Sequence, residues 1–485
     1  MNFTEENIQA LFGNEAAENE SLDRLRSYFV KNDIFDRVTS ETPLRILVGH
    51  KGIGKSALFR VAFAEDRENE RLPIFVRPDD VITIANRDAD FLEQIRDWKQ
   101  GLLRIIGEKS FEQFGLDAPE GVSSALQKAA NIVQFIVDTL SRAKNEINLD
   151  ASKASAFQSL LEKKKIVVYI DDLDRGWEGH KGDIKRLSAL LNAVRDLSTD
   201  HQGLRFRLAL RSDVYHLVRT SDESTDKIEG SVIFQSWTNF EIFVLLVKRI
   251  CAFKGEDLPT EKAKTISQEA LSSMVNEVFV SVFTGRGHWN NTPIYRVLLS
   301  LIRKRPRDLI KLCTAAAREA ANSKAQRIET KHLEAVFQSY SQGRIQDCVN
   351  EFKSELPEIQ RLLLGMKPAS KKKTTLEAFS YSSGELNSKI QNICQSGSFR
   401  FADGKLATLH DLGYFLFKIN FIHARKEIED GTIQRIDFEE NKFLANKFFD
   451  FGYTWEVHAA FRWALQPDSV FSILDNLSTP IDISK

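Results

Sequence analysis

The sequence lacks four features that would each place it in a specialised class of protein. Its four cysteines are scattered with no C-x-x-C pair, which argues against a zinc ribbon, a redox motif or a disulfide framework. Neither charge dominates, because 67 Lys and Arg face 68 Asp and Glu, so any contact with DNA requires a local basic patch. No uncharged apolar run approaches the roughly 18 residues that span a bilayer, and the acidic N-terminal stretch does not resemble a signal peptide. We therefore expect a soluble, cytoplasmic protein with buried, reduced thiols and no membrane partner.

Length and composition indicate a globular protein of two or three domains. A chain of 485 residues exceeds what one hydrophobic core supports, and strands that alternate with helices predict an α/β core with a parallel sheet. We expect this core, with a helical lead-in, over residues 1–236, interrupted by a helical insertion at about 89–161. An all-helical lid region should follow over 237–356, and a C-terminal winged-helix-like domain over 357–485.

The winged-helix prediction depends on the order of patterns near the C-terminus. Two helical patterns precede two strand-like segments, Thr432–Phe438 and Phe443–Tyr453, which together are typical of a helical module with a hairpin. A basic, small-residue stretch at Lys367–Thr375 resembles a linker or an exposed loop ahead of them.

A phosphate-binding loop is the most specific motif in the chain. Residues 49–56 read GHKGIGKS and match G-x-x-x-x-G-K-[ST] at every fixed position, between a predicted strand and a predicted helix. In this pattern the backbone N–H groups surround phosphate oxygens, Lys55 reaches the terminal phosphates and the Ser56 hydroxyl contacts Mg²⁺. The alternative is a Gly-rich turn without a ligand. The predicted nucleotide-binding residues here are Gly49, His50, Lys51, Gly52, Ile53, Gly54, Lys55, Ser56 and Ala57.

An acidic cluster follows the strongly apolar strand Ile166–Ile170. We expect Asp171 to hold Mg²⁺ together with Ser56, and Asp172 to polarise the attacking water in a catalytic centre that also contains Lys55. Capping of the next helix also explains an acidic cluster, and most readily explains Asp174.

Two arginines lie where they can report on the γ-phosphate. Arg211 ends the predicted strand Leu204–Leu210, and is expected in the catalytic centre, although a plain surface arginine fits the pattern equally well. Arg307 opens a helix in the all-helical region and is expected to bind the nucleotide from there. Pro306 starts that helix, so part of the RPRD motif is structural.

These motifs resemble a known group of ATPases. GHKGIGKSAL, VVYIDDLDR, LALRSDVY and RPRDL, in that order, are similar to the bacterial P-loop ATPases of the KAP and STAND type, in the ASCE division that includes AAA+ and origin-recognition proteins. The resemblance assigns Asp171 and Asp172 to Walker B, Arg211 to sensor 1 and Arg307 to a sensor 2-like place. The chain departs from KAP proteins in lacking transmembrane helices, and from STAND proteins in lacking a repeat array.

The resemblance implies an oligomeric, Mg²⁺-dependent ATPase switch. In this bacterial branch the implied role is antiphage or other conflict defence, in which the ATPase controls an effector protein. A DNA-binding loader, motor or repair-associated ATPase is the second hypothesis, and a static nucleotide-binding scaffold is the third. Basic patches for DNA could come from Lys304, Arg305 and Arg307, or from residues 371–373. An arginine finger acting between subunits could be Arg175 or Arg286.

The tail sequence YTWEVHAAFRWAL contains residues that could be mistaken for a second active site. A single histidine without a paired Cys, Ser or carboxylate constellation is usually packed and satisfied. We therefore predict a structural role for Trp455, His458, Arg462 and Trp463.

Overall fold

The computed structural model describes most of the chain. The described residues are 1–69, 71–82, 84, 89–118, 121–142, 157–158, 160–173, 180–221, 223–285, 287–368, 376–427, 433–441, 444 and 453–466. Within them, the chain divides into two compact units, one made of residues 31–235 and the other of residues 1–30 with 236–485.

Helices and strands alternate in the first half, and helices dominate the second. The strands are β1 (Leu44–Gly49), β2 (Leu72–Val76), β3 (Ile166–Ile170), β4 (Leu204–Arg211), β5 (Val232–Phe234), β6 (Val282–Phe283), β7 (Thr292–Pro293), β8 (Ser380–Tyr381), β9 (Ile422–Glu427), β10 (Ile433–Ile436) and β11 (Thr454–Val457). The helices include α1 (Glu5–Phe12), α2 (Leu22–Tyr28), α3 (Asp33–Thr39), α4 (Lys55–Glu68), α5 (Phe91–Glu112), α6 (Val122–Lys128), α7 (Ile132–Arg142), α8 (Lys181–Asp200), α9 (Ser212–Ser221), α10 (Asn239–Phe253), α11 (Thr260–Thr265), α12 (Gln268–Val275), α13 (Ile294–Ser300), α14 (Pro306–Asn322), α15 (Thr330–Phe352), α16 (Ile359–Gly365), α17 (Ser383–Cys394), α18 (Leu409–Lys418) and α19 (Ala459–Leu465).

A five-stranded parallel sheet forms the centre of the unit at residues 31–235. Its strand order is β2-β3-β4-β1-β5, so β4 lies between the strand before the phosphate loop and the strand before Asp171. All the neighbouring strands are parallel. Parallel sheets place ligands beyond the carboxyl ends of their strands. The three candidate site segments after β1, β3 and β4 therefore meet at one edge.

Apolar side chains cover both faces of this sheet. Every residue of β3 is buried, as its continuous β-branched run predicts for a strand with helices on both sides. On one face Tyr169 packs against Phe59 of α4, with ring centroids 5.3 Å apart. On the other face Val168 and Ile170 join a core that includes residues of α5, α7, α8 and α9. The predicted helical insertion is present as α5, α6 and α7.

The other unit is mainly helical and includes the first 30 residues. Helix α1 packs against α10 and α14, and α2 packs against α10. The sequence groups this lead-in with the phosphate-loop core, whereas the structure places it with 236–485 because Ile8, Leu11 and Phe12 bury an apolar face in this helical unit. No helix in the described part of the chain has the length and apolar character needed to cross a bilayer.

A buried ionic cluster joins α14 and α15. The carboxylate of Asp308 accepts hydrogen bonds from Arg303, with Nε 2.8 Å from Oδ2, and from Arg344, with Nη1 2.6 Å from Oδ1. Nearby, Arg305 Nη1 donates to Glu351 Oε2 at 2.8 Å. All five side chains are at most 5% exposed. Burial alone raises the pKa of Asp308, but the two guanidinium groups outweigh this effect and hold the pKa well below its usual range.

The C-terminal strands form a four-stranded sheet of order β10-β9-β11-β8. The observed hairpin pairs β9 with β10 in antiparallel register. The sequence identifies β10, within Thr432–Phe438, but misses β9 because IHARKE is rich in charge. Of the second predicted strand segment, residues 443 and 445–452 lie outside the described residues. The antiparallel pair of β6 and β7 is a further difference between the structure and the sequence-based prediction, since the sequence shows no strong strand between 237 and 352.

The tail residues are packed, as predicted. Trp455, Arg462 and Trp463 are at most 3% exposed and His458 is 9% exposed. Arg462 donates to Glu456 Oε1 at 2.6 Å and to the Val457 carbonyl at 2.9 Å. Burial lowers the pKa of His458 to about 3, so this imidazole is neutral at physiological pH.

The four cysteines form no disulfide bond. Three of their thiols are buried, and that of Cys394 is partly exposed.

Candidate nucleotide site

The loop after β1 adopts a conformation that its glycines make accessible. Gly52 and Gly54 have φ angles of 80° and 106°, a region that side chains with a Cβ rarely enter. Gly54 then caps the N-terminus of α4, and the Lys55 ammonium donates to the carbonyls of Gly49 at 2.7 Å and His50 at 3.2 Å. The loop therefore surrounds the Lys55 ammonium at the N-terminus of α4. The positive end of a helix and an ammonium group together make this position favourable for an anion.

Close packing fixes the first residue of the loop. A Cβ on Gly49 would lie 2.9 Å from Ile53 Cγ2 and 3.0 Å from Gln235 Cβ, so a larger residue there displaces its neighbours. Glycine at position 49 thus has a packing reason in addition to the motif.

Asp171 lies directly beside the loop. Asp171 is only 7% exposed, and its carboxylate accepts a hydrogen bond from the Ser56 side chain. The positive charge of Lys55 attracts the same carboxylate. Burial raises the pKa of Asp171 to about 6, while Ser56 and Lys55 oppose that shift. A hydroxyl and a carboxylate side by side are oxygen donors of the kind that Mg²⁺ prefers.

Asp172 is held in an unusual backbone conformation. Its φ angle is 61°, in the left-handed region, and its N–H donates to Asp171 Oδ1 at 2.9 Å. The Asp172 side chain is exposed, whereas Asp171 is buried. The backbone turn therefore separates the two carboxylates, leaving Asp171 beside Ser56 and Asp172 toward solvent. Strain of this kind concentrates at functional sites.

Arg211 lies at the same sheet edge. In the parallel register of β1 and β4, Arg211 is the partner of Gly49, the first loop residue. Its guanidinium makes two hydrogen bonds to Asp213, at 3.1 and 2.6 Å, and Asp213 is 1% exposed. This bidentate pair holds Arg211 at the carboxyl end of β4 between the phosphate loop and Asp171.

Two contacts near the loop are not evident in the sequence. The Ser212 hydroxyl and His50 Nδ1 form a hydrogen bond of 2.9 Å, which connects the loop to the start of α9. Gln235 follows β5, and its N–H donates to the Val48 carbonyl at 2.7 Å. The only sequence signal for β5 is the short apolar run Val232–Phe234, which is too brief to distinguish from a helix turn.

The remaining predicted residues belong to the other unit or lie outside the described residues. Arg307 belongs to the helical unit, where its Nε donates to the Glu15 carbonyl at 3.1 Å. Asp174, Arg175 and Arg286 are outside the described residues, as are residues 371–373.

The predicted basic patch at residues 304–307 needs correction. Arg305 is 2% exposed and pairs with Glu351, while Lys304 lies 2.8 Å from Asp437 Oδ2 and 2.6 Å from Glu440 Oε1. Because carboxylates already neutralise these two cations, they do not form an open surface for DNA.

The unit at 31–235 has the fold of a P-loop nucleoside triphosphatase. Four features establish this fold: the parallel sheet, the glycines with left-handed backbone angles, Lys55 at the start of a helix, and the buried Asp171 beside Ser56.

In the other unit, residues 260–349 match the family model described as a FunZ-associated C-terminal helical domain. That segment contains α11 to α14 and most of α15, so the helical character predicted for this region is confirmed.

One curated relative of the chain is a transposon protein. The chain is 22% identical over 476 residues to a transposon gamma-delta 80.3 kDa protein of Escherichia coli (strain K12). The alignment takes in 89% of this chain but only 65% of that protein. The chain thus spans about two thirds of the length of its relative.

Three solved structures have a weak overall likeness to the chain. A Walker-type ATPase of Pyrococcus abyssi aligns with a TM-score of 0.38 and 15% identity, over 86% of this chain and 92% of that one. The ORC2 protein of Aeropyrum pernix, a complex with ADPNP and ADP, gives a TM-score of 0.41 and 11% identity, over 95% and 92%. The RuvB Holliday junction branch migration motor of Thermotoga maritima gives 0.33 and 13%, over 87% and 96%. At TM-scores this low, the fold assignment comes from this chain's own strand order and loop geometry.

Proposed function

We propose that this chain binds ATP with Mg²⁺ in the loop at residues 49–56 and hydrolyses it, acting as a molecular switch. One observation carries the proposal. The Lys55 ammonium donates hydrogen bonds to two loop carbonyls, and it lies near the buried carboxylate of Asp171, which is hydrogen-bonded to the Ser56 side chain. An anion that displaces those carbonyl contacts gives Lys55 a stronger, charge-assisted partner.

The oxygen donors fit a magnesium ion. Ser56 and Asp171 supply a hydroxyl and a carboxylate, and Mg²⁺ in such sites usually takes only one or two protein ligands besides water and phosphate. When bound, Mg²⁺ neutralises charge that develops on the phosphates.

The chain's own residues then divide the work of hydrolysis. The N–H groups of the loop and Lys55 bind and orient the phosphates, and Asp172, exposed beside Asp171, accepts a proton from the attacking water. Arg211, held by Asp213 at the end of β4, contacts the terminal phosphate. Ala57 belongs to the first turn of α4, next to this anion site.

The switch in this proposal depends on the lid region and the winged-helix-like domain that the sequence predicts. We assign residues 237–356 to a lid that contributes Arg307 to the nucleotide, and 357–485 to a winged-helix-like domain with the hairpin of β9 and β10 as its wing. In this proposal the chain forms homo-oligomers, with a finger such as Arg175 or Arg286 between subunits, and controls an effector protein in antiphage or other conflict defence. The KAP and STAND resemblance supports that role.

Replacing Asp172 by Asn tests hydrolysis separately from binding. Asn tolerates the left-handed backbone at this position as well as Asp does, so the fold should survive. We expect Mg²⁺-dependent ATP turnover to fall by roughly 10²- to 10⁴-fold, because the proton acceptor is lost, while ATP binding persists. Phosphate release and equilibrium nucleotide binding measure the two effects. The control is Asp200→Asn at the exposed end of α8, and equal turnover in both variants would refute the assigned role.

A DNA-binding ATPase is the second candidate, favoured by the hairpin of β9 and β10, where Lys426 is exposed. If this hairpin contacts DNA, Lys426→Glu should weaken duplex binding and reduce the steepness of its salt dependence by about one phosphate contact. Fluorescence anisotropy of a labelled duplex across a salt series measures this. Lys353→Glu, an exposed lysine at the end of α15, is the matched control. Absence of DNA binding by the wild type at low salt would remove this candidate.

A further inference from the structure

Gln235 is a buried amide with an unmatched acceptor beside the phosphate loop. The residue is 3% exposed, and its Oε1 has no hydrogen-bond partner within the described part of the chain. Its Cβ lies 3.0 Å from the position that a Cβ on Gly49 would take, and its backbone N–H donates to the Val48 carbonyl at 2.7 Å. Buried polar side chains normally have partners, so an unpaired acceptor at a ligand site indicates a donor that arrives with the ligand.

The strand order determines which part of a nucleotide comes near Gln235. Arg211, which suits the terminal phosphate, ends β4, and Asp171, which suits its Mg²⁺, follows β3; both strands lie on one side of β1. Gln235 follows β5, the neighbour of β1 on the opposite side. A triphosphate that lies across the loop with its terminal phosphate toward β3 and β4 therefore directs its nucleoside toward β5.

We propose that Gln235 recognises the 6-position of the purine base and makes the site selective for adenine. This inference rests on the proposed nucleotide site. Adenine offers a 6-amino donor, which complements an amide oxygen, and it accepts through a ring nitrogen. Guanine offers acceptors at both O6 and N7. The terminal torsion of glutamine is soft, so the amide turns onto a base at little cost.

Competition binding with three triphosphates tests this assignment. The probes are ATP, GTP and purine riboside triphosphate, which lacks only the 6-amino group, each displacing a ribose-labelled fluorescent ATP from wild type and from Gln235→Leu. The wild type should bind ATP about ten- to a hundredfold tighter than the purine analogue, the range expected for a bidentate amide–base pair. In Gln235→Leu the two affinities should become equal within about twofold, because ATP loses more binding energy than the purine analogue does.

Separate outcomes overturn the inference and the proposed site. A wild type that does not distinguish ATP from the purine analogue overturns the role of Gln235, and so does Gln235→Leu that weakens all three ligands equally. If Gln235→Leu does not fold, Gln235→Ala takes its place. Circular dichroism then checks that Gln235→Ala is folded, and the ratio of its affinities for ATP and for the purine analogue is compared with that of the wild type. If the fluorescent ATP fails to bind the wild type, or binds Lys55→Ala equally well, the proposed nucleotide site itself is wrong.

Discussion

Replacing Lys55 by Ala should abolish nucleotide turnover. In the structure the ammonium lies 2.7 Å from the Gly49 carbonyl, within the curve of the phosphate loop, and it lies near the buried Asp171. Losing one such charge-stabilising group from a preorganised site costs about 10²- to 10³-fold in rate. We expect ATP turnover to fall by at least about a hundredfold, with weaker binding of ATP, measured by phosphate release and nucleotide titration.

The substitution should leave the fold intact. Lys55 is the first residue of α4, and alanine is the best helix former, so α4 should still form. Lys353→Ala, at the exposed end of α15, is the matched control and should turn over ATP as the wild type does. If Lys55→Ala retains wild-type turnover, catalysis does not occur at this loop.

Replacing Asp308 by Ala should strongly destabilise the helical unit. Asp308 is 2% exposed and carries the charge that compensates the buried guanidinium groups of Arg303 and Arg344. Removing one partner of a buried ion pair typically costs 3–5 kcal/mol, because the opposite charge stays buried and unpaired. We expect the free energy of unfolding of this unit to drop by about that amount.

Urea denaturation followed by tryptophan fluorescence measures the change, since Trp237, Trp289, Trp455 and Trp463 lie in this unit. Asp257→Ala, at an exposed position of the same unit, should shift stability by no more than about 0.5 kcal/mol. The folded-state pKa of Asp308 lies below its unfolded value, so its stabilisation is complete at neutral pH and is lost in acid. A drop of under about 1 kcal/mol in Asp308→Ala would mean that water or other acceptors compensate the arginines.

The sequence reveals the phosphate loop and the β3 segment because both have strong local signals. Glycine spacing predicts the loop, and the left-handed angles at Gly52 and Gly54 give the physical reason for it. An unbroken apolar run predicts Ile166–Ile170, since a strand covered on both faces needs no alternation. The roles of Asp172 and Arg211 remain predictions, although the structure places both at the expected sheet edge.

Long-range pairing accounts for what the sequence does not reveal. Arg305 reads as a surface cation, but its partner Glu351 is 46 positions away and comes close only through packing of α14 on α15. Gln235 is equally hidden, because its closeness to Gly49 depends on the pairing of β5 with β1. The packing of residues 1–30 with the second half of the chain is also a tertiary feature without a local signal.

A crystal structure of the chain with Mg²⁺ and a non-hydrolysable ATP analogue tests the central claim most directly. We expect the N–H groups of residues 49–56 to enclose the phosphates, Lys55 to turn from the carbonyls of Gly49 and His50 to the phosphates, and the metal to lie beside Ser56 and Asp171. An analogue bound elsewhere, with Lys55 still on the loop carbonyls at saturating nucleotide, would contradict it.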